Sequence, residues 1–446
     1  MSGPSAPTAA RRVDPRLHVM MFLEYAVKGV WLPIAALFLS AAPAVGGLGF
    51  SDRQIGMIIA VSGAIGAICA PFIAGQIADR YFSTERCLAV LLVTAGAVNI
   101  LMARQTRFEA WLWLSIVYSI VYMPTISLTN SLGMAHLADV KRQFPVVRVW
   151  GTIGWIVVAW AFPMIWLQTD LTFQWLPPFF TGRSLPNAPA RMVDSLRVAG
   201  AMSIAYGLYC AFLLPHTPPR RDAVEKIAFL KAFRMVRYRS FAVLLGAALL
   251  VSVAHSIYFL QTSKFLASIG LKSQHIMPAM SVGQFAEIAI MAMSGMMLSR
   301  FGFRAVLTLG AVCYFLRYAI FGVVGLPLGM IVAAQVLHGF CFACFITAGF
   351  IYVDFIAPKD VRHSAQTVYS LVLLGVGPLL AGWLNGALSE LFTPQGGALD
   401  YSRFWNTLSL LGLAAAVALA LLFRDESALA VSRASGGAAN ATPKAP

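Results

Sequence analysis

Long apolar stretches separated by short polar connections run along the whole chain. Each stretch holds about 20 residues, which as an α-helix span the roughly 30 Å hydrocarbon core of a membrane. The first stretch is too long for a secretory signal and carries charged Glu24 and Lys28, so we expect a first span and no cleaved leader. The pattern predicts twelve spans with these approximate bounds: 17–40, 53–77, 87–104, 108–134, 145–167, 196–214, 240–266, 274–299, 305–324, 327–354, 363–390 and 403–423.

Composition supports an all-α integral membrane protein. Of the 446 residues, 59% are hydrophobic and 11% are charged, against about 25% charged in an average soluble domain. Cys341 and Cys344 form a CxxC pair, but further ligands are lacking nearby, so we expect neither a metal nor a cofactor. Small apolar packing is the predicted role of all six cysteines, because each falls inside an apolar stretch: Cys69, Cys87, Cys210, Cys313, Cys341 and Cys344.

Basic residues are concentrated in alternate connections. By the positive-inside rule these connections and both termini are cytoplasmic, which predicts a multi-pass protein of the cell membrane, or of the inner membrane in a Gram-negative cell. The net charge of +15 is then a topology signal. Nucleic-acid binding would need basic residues on one folded face, so we expect no nucleic-acid partner. The residues concerned are Arg11, Arg12, Arg16, Arg80, Arg86, Lys141, Arg142, the group from Arg220 to Arg239, Arg300, Arg304, Lys359 and Arg362.

The longest cytoplasmic connection divides the spans into two halves of six. The tail is rich in Ala, Ser and Gly without an apolar run, which predicts disorder. The predicted division is a cytoplasmic segment 1–16, a first six-helix bundle 17–214, a central loop 215–239, a second six-helix bundle 240–423 and a tail 424–446.

A short motif recurs after the second span of each half. Gly75 is followed five residues later by Arg80, and Gly295 by Arg300, as in the parallel repeats of two related transporter halves. The first copy, GxxADR, resembles the loop signature of the major facilitator superfamily. This resemblance implies two six-helix bundles around a central cavity that opens to each side in turn. Asp79, Arg80 and Arg300 would latch one state by pairing with helix ends or charges, and ordinary positive-inside charge is the alternative.

Narrower motifs resemble the nucleoside:proton symporter family, in the same order along nearly the whole chain. RxWGTIG is the most specific of them. The resemblance implies a secondary active transporter, not an enzyme, that imports nucleosides or nucleoside-like solutes by alternating access with proton coupling. The matching segments are Tyr122-Met-Pro-Thr with Asn130, Arg148-Val-Trp-Gly-Thr-Ile-Gly154, Leu214-Pro-His216, Gln284-Phe-Ala-Glu287, Leu316-Arg-Tyr318 and Ser364-Ala-Gln366.

Two of these motifs place polar side chains on one helical face. Gln284 and Glu287 are three residues apart, and such groups inside a span should face a cavity, where they suit the hydroxyls and base edge of a nucleoside. An interhelical hydrogen-bond pair is the alternative. The resemblance also implies substrate contacts from Arg148, Thr152 and Trp155, although Arg148 could instead snorkel from a helix end.

The chain departs from the family on two spans. The tenth has His338, Phe342 and Ala343 where the family has Tyr, Phe and Asp, so the carboxylate implicated in proton coupling is missing. Coupling has therefore moved or been lost. Ser256 and Phe259 replace Gln and Asn on the seventh span, which favours a larger or more apolar substrate. The predicted substrate-binding set is Arg148, Thr152, Trp155, Asn130, Gln284, Glu287, His338, Phe342, Ser256 and Phe259.

Few groups inside the spans can carry a proton. The candidates are Glu287, Glu24 and His338, although a lone histidine in a helix is more often a packing residue. Glu24 and Lys28 stand at i and i+4, the favourable order for an ion pair, here near mid-membrane. In one interpretation the two charges only neutralise each other. In the other, protonation of Glu24 breaks the pair and this breakage is coupled to the rocking of the two halves. Arg317 has no acidic residue within a turn, so its partner must come from elsewhere.

Other functions fit the same sequence less well. A uniporter or a drug-type efflux transporter is compatible with Ala343. A non-transporting solute receptor would normally carry a signalling domain or a long tail, and the sequence shows neither. Enzyme motifs such as HExxH and GxSxG are missing. We expect a monomer whose partners are the small-molecule substrate, protons and membrane lipid. The outer connection 168–194 is either a lid or a tether.

Overall fold

The structure is a computed structural model that describes residues 13–73, 82–176, 179–218, 237–357, 362–395 and 397–425. Two of the predicted latch residues, Asp79 and Arg80, lie outside the described residues. Most of the predicted central loop and of the predicted tail lies outside them as well.

Apolar helices account for nearly all of the described chain. The run Ser273–Phe321 holds 49 residues, and a straight helix of that length would measure about 74 Å, more than twice the hydrocarbon core. It breaks at Gly302, whose φ of 75° and ψ of 168° suit only glycine, so it makes two crossings, α8 before the break and α9 after it. The other spans are α1 Pro15–Ser40, α2 Asp52–Pro71, α3 Thr84–Met102, α4 Phe108–Ala135, α5 Arg142–Trp166, α6 Ala188–Leu213, α7 Arg239–Ser268, α10 Leu328–Ile356, α11 Ser364–Phe392 and α12 Tyr401–Leu422.

Each half of the chain has its own apolar core. The first core forms among α1 to α6 around large buried side chains such as Trp111 and Tyr206, and it also includes Leu260 of α7 and Met277 of α8. The second forms among α7 to α12 around Trp405 and Tyr314. Two bundles with largely separate cores can move against one another while most of each core stays intact.

Several spans deviate from regular α-helix near the boundary between the halves. α1 is interrupted between Gly29 and Leu32, with a proline starting its second part. π-helical turns occur at Met57–Val61 in α2, Cys341–Thr347 in α10 and Val372–Val376 in α11. Such turns often mark functional sites, because they redirect side chains within an otherwise regular helix.

A β-hairpin connects α5 and α6, which the sequence pattern did not predict. Strand β1, Gln168–Phe173, pairs antiparallel with strand β2, Phe180–Ser184. The amide nitrogen of Gln274 at the start of α8 donates to the Ser184 hydroxyl at 2.8 Å. The described part of the α5–α6 connection is therefore tied to the second half.

The two halves are held together at one end of the bundle. We call this end, which carries the α1–α2, α5–α6 and α7–α8 connections, the far end, and the opposite one the termini end. Asp52 at the start of α2 forms an ion pair with Lys264 of α7, and Arg53 forms one with Glu390 of α11 at 2.9 Å. Within the described ranges, every ion pair between the halves lies at the far end.

Candidate functional site

α1 and α5 pack closely and bring an arginine against a tyrosine. The Arg148 guanidinium carbon lies 4.1 Å from the centroid of the Tyr25 ring, a cation–π contact. The glycines of the RxWGTIG motif permit this approach. A Cβ at Gly151 would come within 2.9 Å of Nη1 of Arg148, and one at Gly154 within 2.9 Å of the carbonyl carbon of Phe22. The motif therefore shapes an interface between helices, which then presents Arg148.

α8 presents polar atoms that lack partners. Gln284 and Glu287 are both 8% exposed, and neither makes a hydrogen bond to another helix among the described residues. The Oε1 atom of Gln284 and the Oδ1 atom of Asn130 on α4 are buried without a hydrogen-bond partner within the same ranges. Leaving a buried polar atom unpaired costs about 1 to 3 kcal/mol, so such atoms indicate a place where a ligand or water binds.

Opposite charges lie on helices that pack across the boundary between the halves. Arg148 belongs to α5 of the first half and Glu287 to α8 of the second, and the two charges attract each other. Arg148 makes no ion pair within 4 Å in the described part of the chain. A solute that bound between these two side chains would contact both halves at once.

A row of rings crosses the same boundary. The centroids of Trp155 on α5 and Phe259 on α7 lie 6.3 Å apart, with the rings edge to face. His255 follows at 5.4 Å from Phe259, and His338 of α10 stacks on His255 at 5.5 Å. Trp155, Phe259 and His255 are only half-buried, so part of each ring remains open to contact a flat solute.

Arg317 has no carboxylate partner among the described residues. It is fully buried, its Nη1 donates to Nδ1 of His338 at 2.6 Å, and its Nη2 donates to the Tyr318 hydroxyl at 2.7 Å. The Tyr258 ring centroid lies 4.4 Å from its guanidinium carbon. Aromatic faces and a neutral imidazole therefore take the place of an acidic partner. Because Nδ1 of His338 accepts a hydrogen bond, the ring is neutral with its hydrogen on Nε2, which argues against His338 as a proton carrier.

Glu24 and Lys28 form no ion pair within 4 Å in this structure, although their charges still attract each other. Thr125 of α4 donates to Oε1 of Glu24 at 2.7 Å, and Thr129 donates to Oε2 at 3.0 Å. The hydroxyls of Thr129 and Tyr206 share a further hydrogen bond of 3.1 Å. The threonine hydroxyls of a neighbouring helix thus satisfy the carboxylate. Lys28 makes no hydrogen bond and no ion pair within 4 Å to any described residue.

The other predicted site residues lie around this centre with fewer contacts. Thr152, Ser256 and Phe342 are half-buried, and Phe342 stands in the π-helical turn of α10. Arg300 is exposed at the termini end, with its guanidinium carbon 5.6 Å from the ring centroid of Phe301. Sequence reasoning missed Tyr25, although its place beside Glu24 on the first span was a usable signal.

Comparison with known proteins settles the family. A family model described as "Nucleoside H+ symporter" matches residues 12–428. The chain belongs to the nucleoside H+ symporter family. The resemblance seen in the sequence motifs is therefore confirmed, and with it a multi-pass membrane transporter in place of an enzyme.

Relatives of this symporter family member align with nearly the whole of its chain. The protein of Escherichia coli (strain K12) named "Putative nucleoside transporter YegT" is 32% identical over 429 residues, which cover 93% of this chain and 94% of that protein. The xanthosine permease of the same strain is 29% identical over 434 residues, covering 92% and 94%. A crystal structure of a mutant of the nucleoside transporter NupG superposes with a TM-score of 0.79 at 24% identity, covering 93% of this chain and 100% of that one. The predicted twelve-helix major facilitator fold is thus confirmed.

Proposed function

We propose that this symporter family member imports nucleosides or nucleoside-like solutes together with protons by alternating access. The observation that carries the proposal is a set of charged and polar groups on the two halves. Arg148 and Glu287 carry opposite charges and form no ion pair with a described residue, and the buried oxygens of Gln284 and Asn130 lack a hydrogen-bond partner within the same ranges. A nucleoside offers hydroxyl donors, base acceptors and a flat ring in one molecule. It can therefore satisfy these groups and contact both bundles.

The rings give the site a place for the base. Trp155 and Phe259 meet at the boundary and are half-buried, so one or both can stack on a base. Gln284 and Glu287 accept from ribose hydroxyls, and Arg148 donates to the solute from the other half. The remaining members of the predicted set, Thr152, Ser256, Phe342 and Asn130, would complete the walls, with His338 fixed behind them by Arg317.

Glu287 is the proposed proton carrier. Its carboxylate attracts Arg148 across the boundary, so protonation removes an attraction that holds the two halves together at the site. Glu24 is a second candidate, but threonine hydroxyls already enclose it. A proton on Glu287 would therefore have the more direct effect on the relative position of the bundles.

The charge pattern orients the protein in the membrane. With both termini cytoplasmic, the far end faces outward, and the ion pair of Asp52 with Lys264 closes the protein to the outside. The predicted latch of Asp79, Arg80 and Arg300 would then act at the cytoplasmic side in the opposite state. We place the protein in the inner membrane where the cell has two, as a monomer surrounded by lipid.

One observation favours a uniporter as the second candidate. Ala343 is fully buried where the resemblance places an aspartate, and the partners of Arg317 within the described part of the chain are neutral. If that carboxylate were indispensable for coupling, this chain would equilibrate its substrate without a proton gradient.

Uptake into proteoliposomes tests the proposal. The purified protein would be given radiolabelled uridine and adenosine with and without an inward proton gradient, beside Glu287→Gln and the exposed control Glu109→Gln. We expect accumulation above equilibrium only with the gradient, lost in Glu287→Gln and kept in the control. Equilibration that is independent of the gradient would identify a uniporter. If neither nucleoside is taken up, the substrate assignment is refuted.

A further inference from the structure

Lys28 is a positive charge inside a membrane span that has no carboxylate within 4 Å among the described residues. It stands near the middle of α1, is half-buried, and makes no hydrogen bond or ion pair within the described ranges. An ionisable side chain at this depth is expensive, and such residues almost always face the bundle interior or a water-filled cavity. The Glu24 carboxylate attracts Lys28 from beyond ion-pair distance but is hydrogen-bonded by α4, so the ammonium group is left without a hydrogen-bond acceptor among the described residues.

Neighbouring residues on α1 show where Lys28 points. Glu24, four residues earlier, reaches Thr125 of α4, and Tyr25, three residues earlier, reaches Arg148 of α5. Residues at these spacings lie on one helical face, so Lys28 projects between the directions of α4 and α5.

The opposite face of α1 supports this direction. Val19 precedes Lys28 by nine residues, which at roughly 100° per residue places it on the other side of the helix. Val19 is 43% exposed on the outer surface of the bundle. Lys28 therefore points away from the lipid and toward the space that Arg148 also faces. Gly29, the next residue, packs against Trp155, since a Cβ there would lie 3.1 Å from the Trp155 ring.

The two halves consequently present different chemistry to a bound solute. The first half contributes the cations Lys28 and Arg148, which only donate hydrogen bonds. The second half contributes the acceptors Glu287 and Oε1 of Gln284. A solute bound between the halves therefore forms the most hydrogen bonds when its acceptors or its negative charge face the first half and its hydroxyl donors face the second.

A nucleoside fits this polarity in one orientation. Its ribose hydroxyls donate to Glu287 and Gln284, and its base edge then meets Lys28 and Arg148. Bases with two carbonyl groups, such as uracil and xanthine, present acceptors there, and xanthine also loses a proton readily. Adenine has no carbonyl oxygen and presents an amino donor beside its ring-nitrogen acceptors, and a lysine ammonium cannot accept a hydrogen bond from that donor.

We propose that Lys28 is a specificity-determining residue that selects nucleosides with carbonyl-rich or ionised bases over those with amino-substituted bases. The inference rests on the proposed nucleoside transport and deepens it by naming the class of base.

Competition in the wild-type protein is the first arm of the test. Unlabelled uridine and xanthosine should inhibit labelled uridine uptake into proteoliposomes at concentrations at least several-fold lower than adenosine does. Adenosine that competes equally well contradicts the inference while leaving nucleoside transport intact. If the wild-type protein takes up none of these nucleosides, the proposed function fails, and the inference fails with it.

Variants of Lys28 form the second arm. Lys28→Met should raise KM for uridine and xanthosine about 10- to 100-fold, the loss expected for one charge-assisted hydrogen bond, and change KM for adenosine by less than about twofold. Lys28→Arg should keep the preference, and Lys272→Met, which removes an exposed lysine at the start of α8, should change nothing. Equal losses for all three nucleosides in Lys28→Met would overturn the inference.

Thermal stabilisation of the purified protein separates selectivity from misfolding. Adenosine should still raise the melting temperature of Lys28→Met and of the more polar Lys28→Gln. Uridine and xanthosine should no longer raise it in either variant. If both variants keep the wild-type order of stabilisation, Lys28 does not select the base.

Discussion

The carboxylate of Asp52 and the ammonium group of Lys264 form an ion pair that joins the two bundles at the far end, with 16% and 13% of their side chains exposed. The amide of Asn385 donates to the backbone oxygen of Asp52 at 3.0 Å and accepts from Gln261 at 2.8 Å. An ion pair with so little exposure is screened less by salt than a surface pair. Opening of the far end must break this network.

Neutralising one partner of this pair should open the far end. Lys264→Met leaves the Asp52 carboxylate buried without its partner, which costs about 3 to 5 kcal/mol in the closed state. We expect several-fold faster labelling of a cysteine placed at Ser389 by a bulky thiol reagent, measured in a background without the native cysteines. The exchange Asp52→Lys with Lys264→Asp should restore slow labelling.

The neighbouring pair of Arg53 and Glu390 provides the matched control. Both side chains are more than half exposed, at 57% and 61%, and exposed pairs contribute only about 0 to 1 kcal/mol. Arg53→Met should therefore leave the labelling rate nearly unchanged. Equal acceleration by both substitutions would show that the buried pair has no special role in closure.

Glu24 should act as a structural hydrogen-bond acceptor. Glu24→Gln keeps an oxygen for Thr125 or Thr129, whereas Glu24→Ala leaves both hydroxyls without it and should lower the free energy of unfolding by about 1 to 2 kcal/mol. Thermal unfolding in detergent measures both. Because Glu24 and Lys28 form no ion pair within 4 Å and attract each other only at longer range, the effects of Glu24→Gln and Lys28→Met should nearly add. A strong coupling between the two substitutions would instead support the predicted ion pair.

Substitution of His338 should leave proton coupling intact. His338→Gln retains an acceptor for Arg317, so the protein should fold and its uptake should still follow the proton gradient. His338→Phe removes the acceptor from a fully buried arginine and should reduce the yield of folded protein. Loss of gradient dependence in a folded His338→Gln protein, seen in the same proteoliposome assay, would make His338 the carrier in place of Glu287.

The packing of α1 on α5 should tolerate no side chain at Gly154. A Cβ there would press against the backbone of Phe22, so Gly154→Ala forces the helices apart and should lower the melting temperature and the uptake rate. Gly246 of α7 has nothing within 4 Å of a Cβ position, so Gly246→Ala should be neutral or stabilise by about 0.5 to 1 kcal/mol. Similar melting temperatures for both variants would refute the close-packing role of the motif.

The number of spans, their approximate bounds and the family could be predicted from the sequence. The length of an apolar run is a local property, and a helix must be long and apolar enough to cross the hydrocarbon core. Each span can therefore be recognised from its own residues. Gln284 and Glu287 were likewise predictable as neighbours, because three residues along a helix always place two side chains on one face.

Contacts between helices were decided by the tertiary structure. The spacing of Glu24 and Lys28 permits an ion pair, yet Thr125, about a hundred positions further along, takes the carboxylate and leaves the lysine facing the centre. In the same way Arg317 donates a hydrogen bond to His338 and packs against tyrosine rings. Sequence spacing tells which side chains share a helical face, but the partner of a side chain depends on what the neighbouring helix presents, and only the folded bundle decides that.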